Sequence, residues 1–386
     1  MNKSFFNLTE NSHRQVLNLI RLHKEISGAE LSRITSLRPS TVLYILRSLD
    51  EKGLIEISGT GESTTKGGKK PTLWKIKNNI GYILGLEVLP HKIRIVLAGL
   101  EGVILDKDEN IPTLKINEKN LIDETIKTIL AMLAKHSLQF EQILGVGIAF
   151  PGLIDGKNGT ILYSSALGLE NFPLKLRLES KISLKFTIAN DANSGAMDVK
   201  WYSEPTQTLP ANIVYITYNQ GAKNLGAGLI INNSLYLGVS GAAGEIFYPL
   251  PKIPSIVERG IKKLGSGHLL LNQFTNIEDI KISDIMNYEK QGCGISTFVI
   301  EEICKLIADE IARIIGFINP DLIVIGGDIT MQETLLKKYI VPYAHERTTS
   351  YLKHGYYMPE IRFSQFGKFS VAAGATALIL SELMDN

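Results

Sequence analysis

The 386-residue chain contains only two cysteines, Cys293 and Cys304, with neither a Cys-x-x-Cys pair nor a histidine cluster beside them. That excludes a disulfide-stapled scaffold and leaves no zinc signature. The histidines (His13, His23, His91, His136, His268, His345 and His354) fall at no ligand spacing, so no metal and no other cofactor is expected. Long apolar runs are missing as well. Without a stretch of about 18 apolar residues, no membrane span is expected. The opening MNKSFFNLTENSHRQ has no apolar h-region and no small-residue cleavage site, which predicts a cytoplasmic protein.

Net charge is also scarce, only +2, but it is unevenly spread. Residues 1–80 carry 13 Lys and Arg against 7 Asp and Glu, while the other 306 residues carry 28 against 32. A basic head on a mildly acidic body suits a module that meets a polyanion. The asymmetry alone fits a solvated surface equally well, so the pattern within the head decides.

In that head, Val16, Leu17, Leu19, Ile20 and Leu22 form a helical stripe, with Asn11 or Ser12 as its N-cap. A short helix follows Ser27-Gly28. After the turn LRPS comes STVLYILRSLDEKGLI, where Pro39 sits in the first turn of a third helix. Val42, Ile45, Leu46 and Leu49 mark its buried face, leaving Ser40, Thr41, Tyr44 and Arg47 on the others. This is the order of a helix-turn-helix, whose last helix enters the major groove by its N-terminal residues. The stretches LIEIS and PTLWKIK then read as two strands around GTGESTTKGGKK. That loop is a wing, and its Lys66, Lys69 and Lys70 suit DNA phosphates or a minor groove. The alternative is a helical bundle with a polar hairpin.

From residue 81 the pattern changes to strands at 81–88, 92–98 and 102–106, turned at Pro90 and at Glu101-Gly102. NLIDETIKTILAMLAKHS follows as a helix, ILGVGIAFPG and FTIAND as strands, and ANSGAMDVKWYS as a helix. A second strand-rich start, ANIVYITYNQGAKNLGAGLIINNSLYLG, is followed by the helix STFVIEEICKLIADEIARIIGFIN and the strand PDLIVIGGD. Two such starts predict a duplicated α/β lobe with a cleft between the halves, ahead of one doubly wound sheet. The domain boundaries expected are 1–78 for the head, 79–196 with the C-terminal helix 369–386 for the first lobe, and 197–368 for the second.

Those segments together resemble the ROK family of repressors, open reading frames and sugar kinases. The matching pieces are STVLYILRSLDEKGLIE and GGKKP in the head. In the body they are GVGIAFPGLID, NDAN, LGAGLIINNSLYLG, GAAGEI and NPDLIVIGG. The resemblance covers essentially the whole chain. It implies a fold of class α/β: an N-terminal winged helix-turn-helix followed by a two-lobed actin- and hexokinase-like (ribonuclease H-like) body. It places Asp191 on the family's catalytic carboxylate, Asn190 and Glu245 on sugar hydrogen-bonding positions, and Gly152 on the loop beside them. Gly221, Gly226 and Gly228 match a phosphate-facing turn, and Gly326 and Gly327 a turn near the adenosine; turn geometry alone also accounts for most of these glycines. An N-cap role for Asp191 is compatible with the sugar role.

The departures matter as much. Where the family's kinases carry an acidic residue and then Gly-Gly-Thr-Lys, this chain has EVLPHK. Leu89 and Pro90 precede His91: one adds a side chain, and the other deletes an N–H that would face phosphate. Phosphoryl transfer depends on such positioning, so no enzyme activity is expected and no residue is assigned as catalytic. Tyr248 stands where many members have a zinc-binding His, Ala166 replaces a sugar-binding Asn, and Lys263 stands near an expected Glu. Lys263 admits an acidic or phosphorylated ligand. The expectation is a transcriptional regulator, a repressor of carbohydrate-metabolism genes. Its partners are double-stranded operator DNA and a sugar or sugar derivative, in a homodimer or tetramer. A sugar kinase with an appended head, and a regulator controlled by a transport-system protein, are the alternatives.

Overall fold

The computed structural model describes residues 11–61, 70–77, 79–202, 210–219, 225–246, 251–265, 277, 280–331, 334–351 and 357–384. It divides into two units. One comprises residues 1–190, 200–209 and 372–386, and the other residues 191–199 and 210–371. Among the described residues no helix is long and apolar enough to cross a membrane. Both cysteines are buried and free.

The head has three helices, α1 (Asn11–His23), α2 (Gly28–Thr35) and α3 (Pro39–Glu51). Its strands are β1 (Ile26–Ser27), β2 (Ile55–Thr60) and β3 (Thr72–Ile76), in the order β1-β3-β2. α3 buries Val42, Ile45, Leu46 and Leu49, the stripe expected from the sequence. Two strands were expected and three are present, because the two-residue β1 is too short to show a period. α2 is started by a capping box. The Ser27 hydroxyl accepts from the Glu30 N–H at 3.2 Å, and the Ser27 N–H donates to the Glu30 carboxylate at 3.1 Å. Ser27→Ala is expected to cost about 1 kcal/mol of stability, read as a lower midpoint in urea.

The first unit continues with the antiparallel meander β4 (Tyr82–Leu89), β5 (Lys92–Gly99) and β6 (Ile104–Asn110). Then follow α4 (Leu121–Lys135), β7 (Ile143–Phe150), β8 (Leu153–Asp155), β9 (Thr160–Ser164), β10 (Leu169–Phe172), α5 (Leu174–Glu179) and β11 (Phe186–Asn190). Its main sheet has the order β11-β7-β4-β5-β6, and β8 to β10 make a separate small sheet. β6 lies later than the sequence suggests. Gly102, at φ +81, holds the turn after β5, and the register shifts at Leu97/Ala98 before pairing resumes at Ile104.

Helix α6 (Asp191–Tyr202) follows β11 directly. The second unit then repeats the plan with β12 (Ile213–Tyr218), β13 (Gly226–Ile231) and β14 (Ser234–Tyr236). After α7 (Ile253–Leu264), α8 (Ile282–Lys290) and α9 (Gly294–Ile318) come β15 (Leu322–Gly327), α10 (Val341–Tyr351) and β16 (Glu360–Phe363). The sheet order β14-β13-β12-β15-β16 matches the first strand for strand: a meander, then two strands added in parallel. The duplication expected from two strand-rich starts is present, as two sheets rather than one. α11 (Ser370–Met384) packs on β4 and β7, where a side chain on Gly85 or Gly147 would overlap the carbonyl oxygens of Ala372 and Ala375. Parallel strands buried on both faces need such near-continuous apolar and small-residue sequence.

Candidate ligand site and nucleic-acid interface

Ser40, Thr41, Tyr44 and Arg47 are all exposed on α3, Tyr44 to 63%, opposite the helix's buried stripe. The ring of Tyr44 meets His13 of α1 edge-on, with centroids 6.0 Å apart. Lys70 is exposed just before β3, and Lys66 and Lys69 lie outside the described residues. Leu43, 46% exposed, shares this surface and was missed from the sequence. An apolar residue off the buried stripe of α3 was the available signal.

The ligand candidates form two groups, each built by a strand end. β11 runs parallel to β7, with Asn190 opposite Phe150, so Asn190 stands where the strand gives way to α6. Its side-chain N–H donates to the Gly152 carbonyl at 3.0 Å. Gly152 has φ +131, and a side chain there would overlap the Tyr163 carbonyl. Asn190 and Gly152 are therefore brought together.

Asp191 opens α6 and is only 9% exposed. Its Oδ1 accepts the N–H of Ala192 at 2.9 Å, so it serves one of the helix's free donors from inside the first turn rather than from the N-cap. A side-chain carbon on Gly226 would lie 3.8 Å from Asp191 Oδ1, and Gly226 itself is bridged to Glu245. The N–H of Ala227 donates to the Gly244 carbonyl at 3.0 Å, fixing Glu245 against the start of β13. Two carboxylates far apart in sequence thus share one glycine neighbour. Glu245 is half-buried, and burial raises its carboxyl above the usual range. Carboxylates accept and amides donate, a set that suits the neighbouring hydroxyls of a polyol.

At the β4–β5 hairpin, Leu89 pairs with Lys92, which leaves Pro90 and His91 as a two-residue turn. Leu89 is 7% exposed, and the Pro90 carbonyl accepts the Ile116 N–H at 2.7 Å. Behind the turn, Arg94 Nη1 lies 2.8 Å from Glu87 with both side chains fully buried, and Arg94 Nε lies 3.0 Å from Glu109. A cross-strand row of opposite charges therefore neutralises the acidic residue of this hairpin. Gly326 has a packing cause, since a side chain there would meet the Tyr215 hydroxyl that hydrogen-bonds Ser370 at 2.6 Å. Gly327, at φ +87, lies against Tyr218. Gly228 is pressed against the first turn of α6. Lys263 stacks on Phe298, with its ammonium 5.2 Å from the ring centroid. Gly221 and Tyr248 lie outside the described residues.

Residues 83–250 and 255–382 match the ROK family, and residues 10–56 match winged helix-turn-helix DNA-binding domains. The chain belongs to the ROK family. Among its ROK relatives is a xylose repressor of Caldicellulosiruptor bescii, 25% identical over 96% of this chain and 95% of that protein. The xylose repressor of Bacillus subtilis is 26% identical over 97% and 96%. The N-acetylglucosamine repressor of Escherichia coli O157:H7 is 24% identical over 83% and 81%. Among solved structures, a ROK family transcriptional regulator superposes with a TM-score of 0.72 at 19% identity, covering 97% of this chain and 98% of that one. A ROK glucokinase from Streptomyces griseus, bound to glucose and AMPPNP, gives 0.64 at 20% identity over 77% and 99%. The fold is thus shared by regulators and kinases of the family.

Proposed function

We propose that this ROK protein is a sugar-responsive, DNA-binding transcriptional repressor of carbohydrate-metabolism genes that does not transfer phosphate. The observation that carries the reading is the pairing, in one chain, of an exposed recognition helix with a body whose first hairpin closes on Leu89 and Pro90. A phosphate cradle needs bare backbone N–H groups at that place. Here a buried leucine side chain and an imino acid occupy it, and Arg94 takes up the charge of Glu87.

In this reading Asn190, Asp191 and Glu245 hold the hydroxyls of a sugar beside Gly152, with Asp191 sensing rather than catalysing. Ser40, Thr41, Tyr44 and Arg47 read base edges, while Lys66, Lys69 and Lys70 follow phosphates. A two-fold dimer would set its heads on successive major grooves about 34–36 Å apart, on a roughly palindromic operator. The names of the xylose and N-acetylglucosamine repressors make those two sugars the first probes.

The test is operator affinity with and without D-xylose and N-acetylglucosamine, run beside a coupled ATP-consumption assay on the same sugars. A sugar-dependent change in affinity without turnover is expected; turnover abolished by Asp191→Asn would replace this reading with a kinase. No thermal stabilisation by any sugar or sugar phosphate would favour control by a protein partner, since a ligand at a hundredfold excess over its Kd stabilises by about 3 kcal/mol. For the head, Lys69→Ala with Lys70→Ala is expected to weaken binding to all sequences and to flatten the salt slope by about two. Tyr44→Ala is expected to relax the choice between operators instead, and equal loss on random DNA would contradict base reading.

A further inference from the structure

Helix α6 has its first residue in the candidate ligand group and its last turn against the DNA-binding head. It runs unbroken from Asp191 to Tyr202, a rise of about 18 Å. At the far end Trp201 is 3% exposed, and the guanidinium of Arg21, from α1, lies 4.5 Å from its ring centroid. Arg21 Nη1 also donates to the Trp201 carbonyl at 3.2 Å, and Nε donates to Asn18 at 3.0 Å. The turn between β5 and β6 closes the same contact: Gly102 has φ +81, and a side-chain carbon there would come within 3.0 Å of Arg21 Nη1. Tyr202 is tied to Thr376 of α11 by a hydroxyl–hydroxyl hydrogen bond. A charged side chain that is only 8% exposed on α1 is thus clamped by two other elements.

The same α1 carries His13, whose ring meets Tyr44 of the recognition helix. Asp191 and Trp201 thus belong to one helix, Trp201 meets Arg21 of α1, and His13 of the same α1 meets Tyr44. Arg21 and Trp201 have no role in the site described above. Among the described residues the indole N–H of Trp201 has no hydrogen-bond partner, so the ring is held by the stack and by its own carbonyl. A buried N–H left without a partner is costly, and such positions persist where the surroundings over-determine them.

We propose that Arg21 and Trp201 are positioning residues that couple ligand occupancy at Asp191 to the placement of α1 and hence of the recognition helix. The proposal rests on the sugar-responsive reading and deepens it. A ligand that favours one setting of the first turn of α6 shifts the helix's last turn with it, and the Arg21 clamp passes the shift to the head. Coupling of this kind is reciprocal, so operator binding must be felt at α6.

The test uses the full chain, a duplex selected from a random library by the chain itself, and D-xylose and N-acetylglucosamine as probes. In the native protein the sugar is expected to change operator affinity at least tenfold. Arg21→Gln is expected to keep sugar-induced stabilisation and to keep sugar-free operator affinity within threefold, while the sugar effect falls below twofold. Arg21→Lys, which keeps the cation over the ring but not the fork, should recover part of the response. Trp201→Phe, which keeps a ring and so the packing, should lose part of it. Hydrogen exchange over residues 191–202 is expected to change on operator binding in the native chain and not in Arg21→Gln.

An Arg21→Gln protein that responds to sugar like the native one overturns the proposal. If neither sugar affects the native chain yet operator DNA still alters exchange in α6 through Arg21, the joint stands and the sugar reading falls for these two sugars. If operator DNA leaves that exchange unchanged, the joint falls.

Discussion

Replacing Gly228 by alanine is expected to lower the stability of the protein by more than about 3 kcal/mol and to abolish sugar-induced stabilisation together with it. Gly228 lies in β13 opposite Tyr215, beneath the first turn of α6. A side-chain carbon there would overlap the Ala192 carbonyl oxygen, and it would sit 2.7 Å from the carbonyl carbon and 2.9 Å from the side chain of Ala196. The obstruction is largely backbone, so no rotamer relieves it. The helix start must lift from the sheet, and Asp191, one residue before Ala192, moves with it. Gly316→Ala is the control. It lies exposed in α9 with open space around it, and the substitution should be neutral or stabilising by up to about 1 kcal/mol. The measurement is the urea midpoint of each variant, with and without the sugar. A loss at Gly228 below about 1 kcal/mol would mean that β13 and α6 are not in tight contact.

What the sequence made legible follows from how each feature is encoded. The buried face of α3 is local, carried by a 3.6-residue period, and it stands where the sequence puts it. The cap at Ser27 is equally local, one Ser-x-x-Glu spacing, but the sequence reading reached only the helix start after Ser27-Gly28 and not the cap. The two meanders were legible as repeated strand-rich starts, because each strand is a nearly unbroken apolar run. β6 was placed too early because its alternation is carried by Asp106, Asp108 and other polar residues, which resemble a loop. The small sheet β8 to β10 was unread, since segments of three to five mixed residues have no measurable period.

The site divides in the same way. The NDAN turn is local, but Asp191 and Glu245 share Gly226 as a neighbour through a pairing that depends on which strand borders β12. Resemblance supplied those two positions; periodicity was blind to them. The cross-strand row Glu87–Arg94–Glu109 is a register effect of the same sort, and the sequence showed only its first member as part of an ordinary turn. Arg21 had no signal at all, because a cation on the apolar stripe of α1 reads as a flaw in the pattern until Trp201 is placed against it.

Asp198→Asn is expected to stabilise the protein at pH 8 by roughly 2–4 kcal/mol and to have little effect near pH 4. Asp198 lies within α6, 1% exposed. The Ser364 hydroxyl donates to Oδ2 at 2.7 Å, while Oδ1 is buried with no partner among the described residues. Burial outweighs both that hydrogen bond and the attraction of Arg362, and pushes the carboxyl up to about 7. An unfolded chain releases this proton near pH 4, whereas the folded protein keeps it to about pH 7. Between those values the unfolded state binds fewer protons, so stability falls as pH rises from 4 to 7 and stays low above. Asparagine carries no such charge and still offers Ser364 an oxygen, so the gain should grow through the same window. Urea midpoints of both proteins at pH 4.5, 6 and 8 give the comparison. An equal gain at every pH would make the effect one of packing, and no gain at pH 8 would mean that Asp198 ionises in the folded protein near its ordinary range.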